Sequence, residues 1–179
     1  MCSEPVEPVR RLFFALWPDA EIRAALDALA RRQIHKQAKR VAADNLHITI
    51  AFPGAVTARV QECLEAAAGK LKGAPFELAI DRLGHWPVPR ILWAAPSHTP
   101  PELLALTAAL REVLEACGLM PETRPYQAHI TLARKAGRVL TATSVAPIRW
   151  SIRHFCLVES VSEPAGVRYQ VLRFWPLEG

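Results

Sequence analysis

Two stretches, Asn45-Leu46-His47-Ile48-Thr49-Ile50-Ala51-Phe52 and Ala128-His129-Ile130-Thr131-Leu132-Ala133-Arg134, carry the same pattern. In each, apolar and polar residues alternate with the period of an extended strand. Such a strand sets His beside Thr on one face and sends Ile48 and Ile50, or Ile130 and Leu132, to the other. Phe52, in phase with Ile50, is expected on the core face. The two histidines stand 82 residues apart. With six histidines and eight threonines in the chain, chance predicts about 0.27 His-x-Thr triplets and about a 3% probability of two or more. A polar, paired His-Thr face that occurs twice is therefore the first feature to explain.

Working outward, Arg11 to Trp17 reads as a strand halted by Pro18, and Asp19 caps a helix whose apolar face is Ile22, Leu26 and Leu29. That helix is expected to fray before the basic cluster Arg31-Arg32 to Lys39-Arg40. Pro53-Gly54 is expected to end the first motif strand. A second helix follows from about Thr57 to near Gly73, with Val60, Leu64, Ala67 and Leu71 on one stripe. Strands are expected at Phe76–Leu83 and Arg90–Ala95. A third helix follows Pro100-Pro101, faced by Leu103, Leu106, Leu110 and Cys117 and closed by Gly118. Tyr126–Arg134, Ile148–Glu159 and Val167–Trp175 complete the strands. Those in the last third lie too close together for parallel crossovers, so the fold class is α+β with antiparallel pairing.

Composition bounds the partners. At ~150 residues per domain, 179 residues make one domain or two small lobes. With 51% hydrophobic and 22% charged residues, disordered and fibrous classes are excluded. No apolar run approaches the ~18 residues of a membrane span, and Leu12–Trp17 is too short for a secretory core, so the expected compartment is the cytoplasm. A formal charge of +5 permits a polyanionic partner. Cys2, Cys63, Cys117 and Cys156 form no CxxC pair and are expected to stay reduced, with Cys63 in the core. His154 and Cys156 alternate on one strand without a second ligand pair, so no metal site is expected. The basic run including His35 and Lys36 is read as a solvated helix end, although it could track an RNA backbone. Trp86, Trp93 and Tyr126 are read as packing residues, and His35, His85 and His98 as residues of loops or helix ends.

Two imidazoles brought together suit a reaction that needs an acid and a base at once, because His titrates near ~6.5. Phosphodiester hydrolysis is such a reaction. One His draws a proton from water, the other protonates the departing oxygen, and the Thr hydroxyls hold the nonbridging oxygens. The two motifs are symmetric, so the residues alone leave the assignment of acid and base open. A non-enzymatic RNA-binding module with structural histidines is the rival, and the presence of both pairs argues against it.

Together with Arg11-Leu12-Phe13-Phe14-Ala15-Leu16, Pro75-Phe76-Glu77-Leu78, Pro89-Arg90-Ile91-Leu92-Trp93 and Arg124-Pro125-Tyr126, these motifs make the chain resemble the two-histidine phosphoesterases. Among these it is similar to the RNA 2′,3′-cyclic phosphodiesterase / 2′-5′ RNA ligase family. The resemblance implies one bilobal, pseudo-twofold domain over residues 1–179, with antiparallel sheets, outer helices, a central cleft and residues 1–9 as a flexible tail. It implies metal-independent hydrolysis of 2′,3′-cyclic phosphate ends to 2′-phosphomonoesters, without cofactor, by a monomer acting on RNA or a nucleotide, with no membrane partner. Joining such ends to a 5′-hydroxyl is the alternative direction. His47 matches the family's proton donor and His129 its proton acceptor, with Thr49, Thr131 and Arg134 as phosphate-binding residues. Strict alternation favours Lys135 over Arg134 for that last place, and Arg134 reaches the His face only if its strand bends near Ala133.

Overall fold

A computed structural model describes residues 7–33, 38–136, 143–164 and 166–178. The strands are β1 (Val9–Leu16), β2 (Lys39–Arg40), β3 (Ile48–Thr57), β4 (Phe76–Trp86), β5 (Ile91–Pro96), β6 (Ile130–Arg134), β7 (Thr143–Ile152), β8 (His154–Glu163) and β9 (Gly166–Pro176). The helices are α1 (Ala20–Gln33), α2 (Ala58–Ala68) and α3 (Pro101–Ala116). All strand pairs are antiparallel. Their order is β7-β4-β5-β6-β3-β1-β8-β9, with β2 added beside β6. Four strands thus lie on each side of the β6–β3 junction, the expected bilobal α+β arrangement.

That junction is narrow. Ile48 pairs with Ile130, and both are fully buried. The helices tie the halves together. α1, which follows β1, packs on β6 and β7 of the other half, while α3, which follows β5, packs on β3. The main core is built from Leu12, Phe14 and Leu16 of β1, Leu26 of α1, Ile48 and Ile50 of β3, and Leu103, Leu110 and Leu114 of α3. On the opposite face of β1 a smaller cluster forms from Phe13, Ala15, Cys156 and Val158, flanked by Trp17 and Tyr169.

The local signals hold where they rest on caps and stripes. Asp19 Oδ1 accepts the Ile22 N–H at 2.9 Å, and the expected face of α3 is buried. Gly118 takes φ +78° after it, a conformation open to glycine. Other expectations are corrected. α1 continues through Arg31 and Arg32 to Gln33, held by the Asp27–Arg31 ion pair one turn apart. Arg153 breaks the expected Ile148–Glu159 strand into β7 and β8. β4 extends to Trp86 and takes in His85, and β1 already begins at Val9, within the expected tail. Residues 1–6, with Cys2, and residues 34–37, with His35 and Lys36, lie outside the described residues.

Two bulges matter more. β3 does not stop at Pro53-Gly54. Leu12 pairs with Gly54 but Phe14 with Ala51, so β3 carries an extra residue there, which accommodates a proline that cannot donate to the ladder. Phe52 is turned out of phase and is 46% exposed, against the expected core position. In β6, Trp93 pairs with Thr131 but Leu92 with Ala133, so the extra residue Leu132 rephases the end of the strand. Ala133 is buried and Arg134 exposed.

The cysteine expectation also fails. Cys63 and Cys117 are joined in a disulfide, with Cα atoms 5.9 Å apart, because α2 packs against α3. Sequence spacing carries no trace of that proximity. Cys156 is a free, buried thiol.

Replacing Ile48 with Ala empties the centre of the junction. The expected loss is about 2–5 kcal/mol of unfolding free energy, read by urea denaturation. A loss below about 1 kcal/mol would show that the two halves do not depend on this pair.

Candidate active site

The register that sets Ile48 opposite Ile130 brings residue 47 alongside residue 131 and residue 49 alongside residue 129, because antiparallel partners run in opposite directions. Each histidine therefore stands by the other motif's threonine. Each histidine immediately precedes its strand, β3 or β6. A cavity of about 590 Å³ opens over them, lined by His47, Thr49, His129, Thr131 and Arg134. All five side chains singled out from the sequence are brought together. Lys135, the rival to Arg134, is not among the lining residues and takes φ +54° just after β6. The bulge at Leu132 is the bend that Arg134 needed.

Both rings are fixed in the same way. His47 Nδ1 lies 2.7 Å from the Asn45 carbonyl oxygen and His129 Nδ1 lies 2.8 Å from that of Gln127. A carbonyl only accepts, so each Nδ1 carries the proton and donates it. Each Nε2 is left for other partners. His47 Nε2 is 3.1 Å from Thr49 Oγ1, and with neutral imidazole the hydroxyl donates to it.

Sequence reasoning assigned no role to Asn45, Phe13, Trp17 or Tyr169 around the His47 ring, and it read Trp86, Trp93 and Tyr126 as packing residues. Asn45 does more than supply a carbonyl. Its side-chain NH₂ donates to the Val167 carbonyl at 2.8 Å and its Oδ1 accepts the Tyr169 N–H at 3.1 Å, which locks the turn before His47 to β9. Phe13, Trp17 and Tyr169 surround the His47 ring at centroid distances of 4.8, 5.5 and 5.1 Å, with Trp17 stacked nearly parallel to it. Around His129 the support comes from β4 and β5. Trp93 lies so close over Gly84 that a Cβ there would meet the ring at 2.0 Å. Trp86 packs on Trp93, and its ring stands edge-on to His129 at 4.7 Å. The Tyr126 hydroxyl donates to the Thr49 carbonyl at 3.2 Å, and burial pushes its pKa up.

Charge surrounds the cavity. Arg11, Lys39 and Arg40 join Arg134 in its wall, with Arg11 over the Phe52 ring at 5.0 Å and Arg40 paired to Asp27. The basic run is thus divided: Arg31 and Arg32 stay on α1, while Lys39 and Arg40 form β2 and face the cleft. Burial lowers the His47 pKa to about 4, against the Asn45 hydrogen bond, and the nearby His129 and Arg134 lower it further. His129 is lowered as well, chiefly by burial. Both rings are held neutral near pH 7 with Nε2 unprotonated, and a cationic wall stands ready for an anion. Among the described residues, no cluster of three or more His, Cys, Asp or Glu side chains is placed to hold a metal ion, and no helix is long and apolar enough to cross a membrane.

The 2′-5′ RNA ligase superfamily pattern matches residues 18–163. The RNA 2′,3′-cyclic phosphodiesterase of Escherichia coli K12 is 35% identical over 178 residues, which is 98% of each chain. The crystal structure of E. coli LigT in apo form superposes with a TM-score of 0.88 at 31% identity, covering 97% of this chain and 100% of that one. The same protein complexed with 3′-AMP gives 0.86 at 32% identity, covering 96% and 99%.

The buried ring has a measurable cost. Between pH 6.5 and about 4 the unfolded chain binds a proton at residue 47 that the folded chain does not. The stability tied to neutral His47 is complete above pH 6.5 and is lost as the pH falls toward 4, by roughly 3 kcal/mol. His47→Gln is expected to flatten that slope in denaturant titrations taken from pH 7 to 4. An unchanged slope in the variant would contradict the burial of an uncharged ring.

Proposed function

The chain belongs to the 2′-5′ RNA ligase superfamily, and from that premise we propose how its cleft works as an RNA 2′,3′-cyclic phosphodiesterase. The activity itself is the hydrolysis of an RNA phosphodiester. The observation that carries the reading is the crossed register of β3 and β6, which sets both histidines and both threonines in the wall of one cavity.

With the cyclic phosphate between the rings, His129 Nε2 accepts a proton from water as its oxygen bonds to phosphorus. The P–O3′ bond breaks, and His47 gives its Nε2 proton to the departing O3′. The products are a 2′-phosphomonoester and a free 3′-hydroxyl. Thr49, Thr131 and Arg134 hold the nonbridging oxygens, on which charge builds during the attack. The division of roles between the histidines follows the family resemblance. The site's named side chains all come from one chain, which supports a monomer.

His47 must be charged to donate, yet burial keeps it neutral in the free protein. The phosphate supplies the missing interaction: an anion within hydrogen-bond reach favours imidazolium, and the stacked Trp17 face adds a cation–π contribution. Substrate binding therefore charges its own acid.

The deciding experiment incubates the protein with RNA ending in a 2′,3′-cyclic phosphate and identifies the product. A 2′-phosphate is expected, whereas a 3′-phosphate would exchange the leaving oxygen and a 2′-5′ linkage would favour the joining direction. His47→Ala and His129→Ala should each lower kcat/KM by ~10²- to 10⁴-fold while remaining folded. Since side chains carry both proton transfers, EDTA should leave the rate unchanged; loss restored by zinc or manganese would contradict the assignment. The limb of kcat that falls with rising pH should lie above the corresponding limb of kcat/KM, because only the first reports the bound state. Coincident limbs would remove substrate-assisted charging of His47.

A further inference from the structure

His129 is delivered by an irregular stretch of chain. After α3 ends at Ala116, residues 118–129 form no helix or strand, and most of them are exposed. Few ties hold them. The Leu119 N–H donates to the Leu114 carbonyl at 2.9 Å, Arg111 donates to the Arg124 carbonyl at 2.9 Å, and the Tyr126 hydroxyl donates to the Thr49 carbonyl at 3.2 Å. A segment with so little buried contact opens locally at low cost. Near its end, Gln127 supplies the carbonyl that fixes His129 Nδ1.

The anchor at the start of this segment is covalent. Cys117, which caps α3, is bonded to Cys63 of α2. α2 begins at Ala58 directly after β3 ends at Thr57, so Cys63 is continuous with the strand that carries Thr49 and runs on from His47. The bridge therefore fastens the approach to the second histidine onto the exit from the first, across 54 positions of chain. Both of its cysteines are half-buried, whereas Cys156 is fully buried. A bridge with that access is open to exchange with small thiols.

We propose that the Cys63–Cys117 bridge is a thiol-controlled tether that sets how firmly His129 is held against the first motif, so that the redox state of the pair regulates turnover. The inference rests on the role proposed for His129 as the base. A small thiol of the glutathione class opens the bridge. Its thiolate bonds to one cysteine sulfur as the S–S bond breaks, and the other cysteine leaves as a thiolate and takes up a proton. A second small thiol then displaces the first as a small-molecule disulfide, so the two thiols supply both electrons. Once Cys117 is free of α2, the segment after it is held only by its hydrogen bonds, and the Gln127 carbonyl no longer fixes one orientation of the ring. Proton transfer depends on that orientation. The side chains proposed to hold phosphate, Thr49, Thr131 and Arg134, lie outside the segment, so the loss falls on kcat rather than KM.

The test compares the full chain treated with oxidised glutathione and the same protein kept reduced in dithiothreitol. Reduction should expose two further thiols in the unfolded chain and lower Tm by roughly 5–15 °C. At a temperature below both transitions, kcat on RNA ending in a 2′,3′-cyclic phosphate should fall several-fold on reduction, with KM nearly unchanged. Oxidised glutathione should restore it. Cys63→Ser should show the reduced rate and respond to neither treatment. In nitrogen-15 spectra the His129 ring should gain a second tautomer on reduction, while His47 keeps one. Equal kcat for the bridged and reduced proteins would overturn the proposal, as would full activity in Cys63→Ser or thiols that stay unpaired in oxidised glutathione. If neither form hydrolyses the RNA, the phosphodiesterase reading falls instead, and the His129 spectrum alone decides the tether: a ring unchanged by reduction overturns it.

Discussion

The pairing of Ile48 with Ile130 is the constraint on which the rest of the molecule depends. It joins two four-stranded halves at a point where both side chains are excluded from water. Its antiparallel register decides which polar groups meet on the other face. A slip of one residue would turn the histidines and threonines into the core. The apolar side of these strands thus stabilises the fold and sets the site at once. The helices secure the junction from behind, with α1 and α3 each packing on strands of the half that it does not directly follow.

Burial and chemistry pull in opposite directions at His47. Phe13, Trp17 and Tyr169 hold the ring still, which orientation-dependent catalysis requires, and the same enclosure opposes its charge. In the proposed mechanism the opposition is useful, because the bound anion is what charges the ring. Asn45 belongs to this arrangement, since its carbonyl fixes the tautomer while its amide anchors the turn to β9.

Features that depend on a short period were legible in the residues. The His-x-Thr alternation announced strands, which begin one residue after each histidine, Asp19 announced α1, and the leucine stripe of α3 was buried as expected. Misreadings arose where the period breaks. A bulge at Phe52-Pro53 carried β3 past its expected end and swung Phe52 into the cleft, and a bulge at Leu132 delivered Arg134 in place of Lys135. Both depend on a neighbouring strand, which no local pattern contains. The Cys63–Cys117 bridge and the Asn45 clamp join residues 54 and more than 120 positions apart, for the same reason beyond a single-sequence reading. The break at Arg153, which separates β7 from β8, places consecutive strands in opposite halves of the sheet, whereas the sequence reading took Ile148–Glu159 as one strand.

Catalysis in this account depends on two fixed imidazoles that present Nε2 to a shared anion, and nitrogen-15 NMR of the histidine rings tests that directly. The free protein should show the Nδ1–H tautomer at both residues 47 and 129, with His47 titrating near 4. Addition of a nucleoside 2′-phosphate should move that titration toward neutral pH. An Nε2–H tautomer at either ring, or a His47 that titrates at 6.5 with and without the nucleotide, would contradict the account.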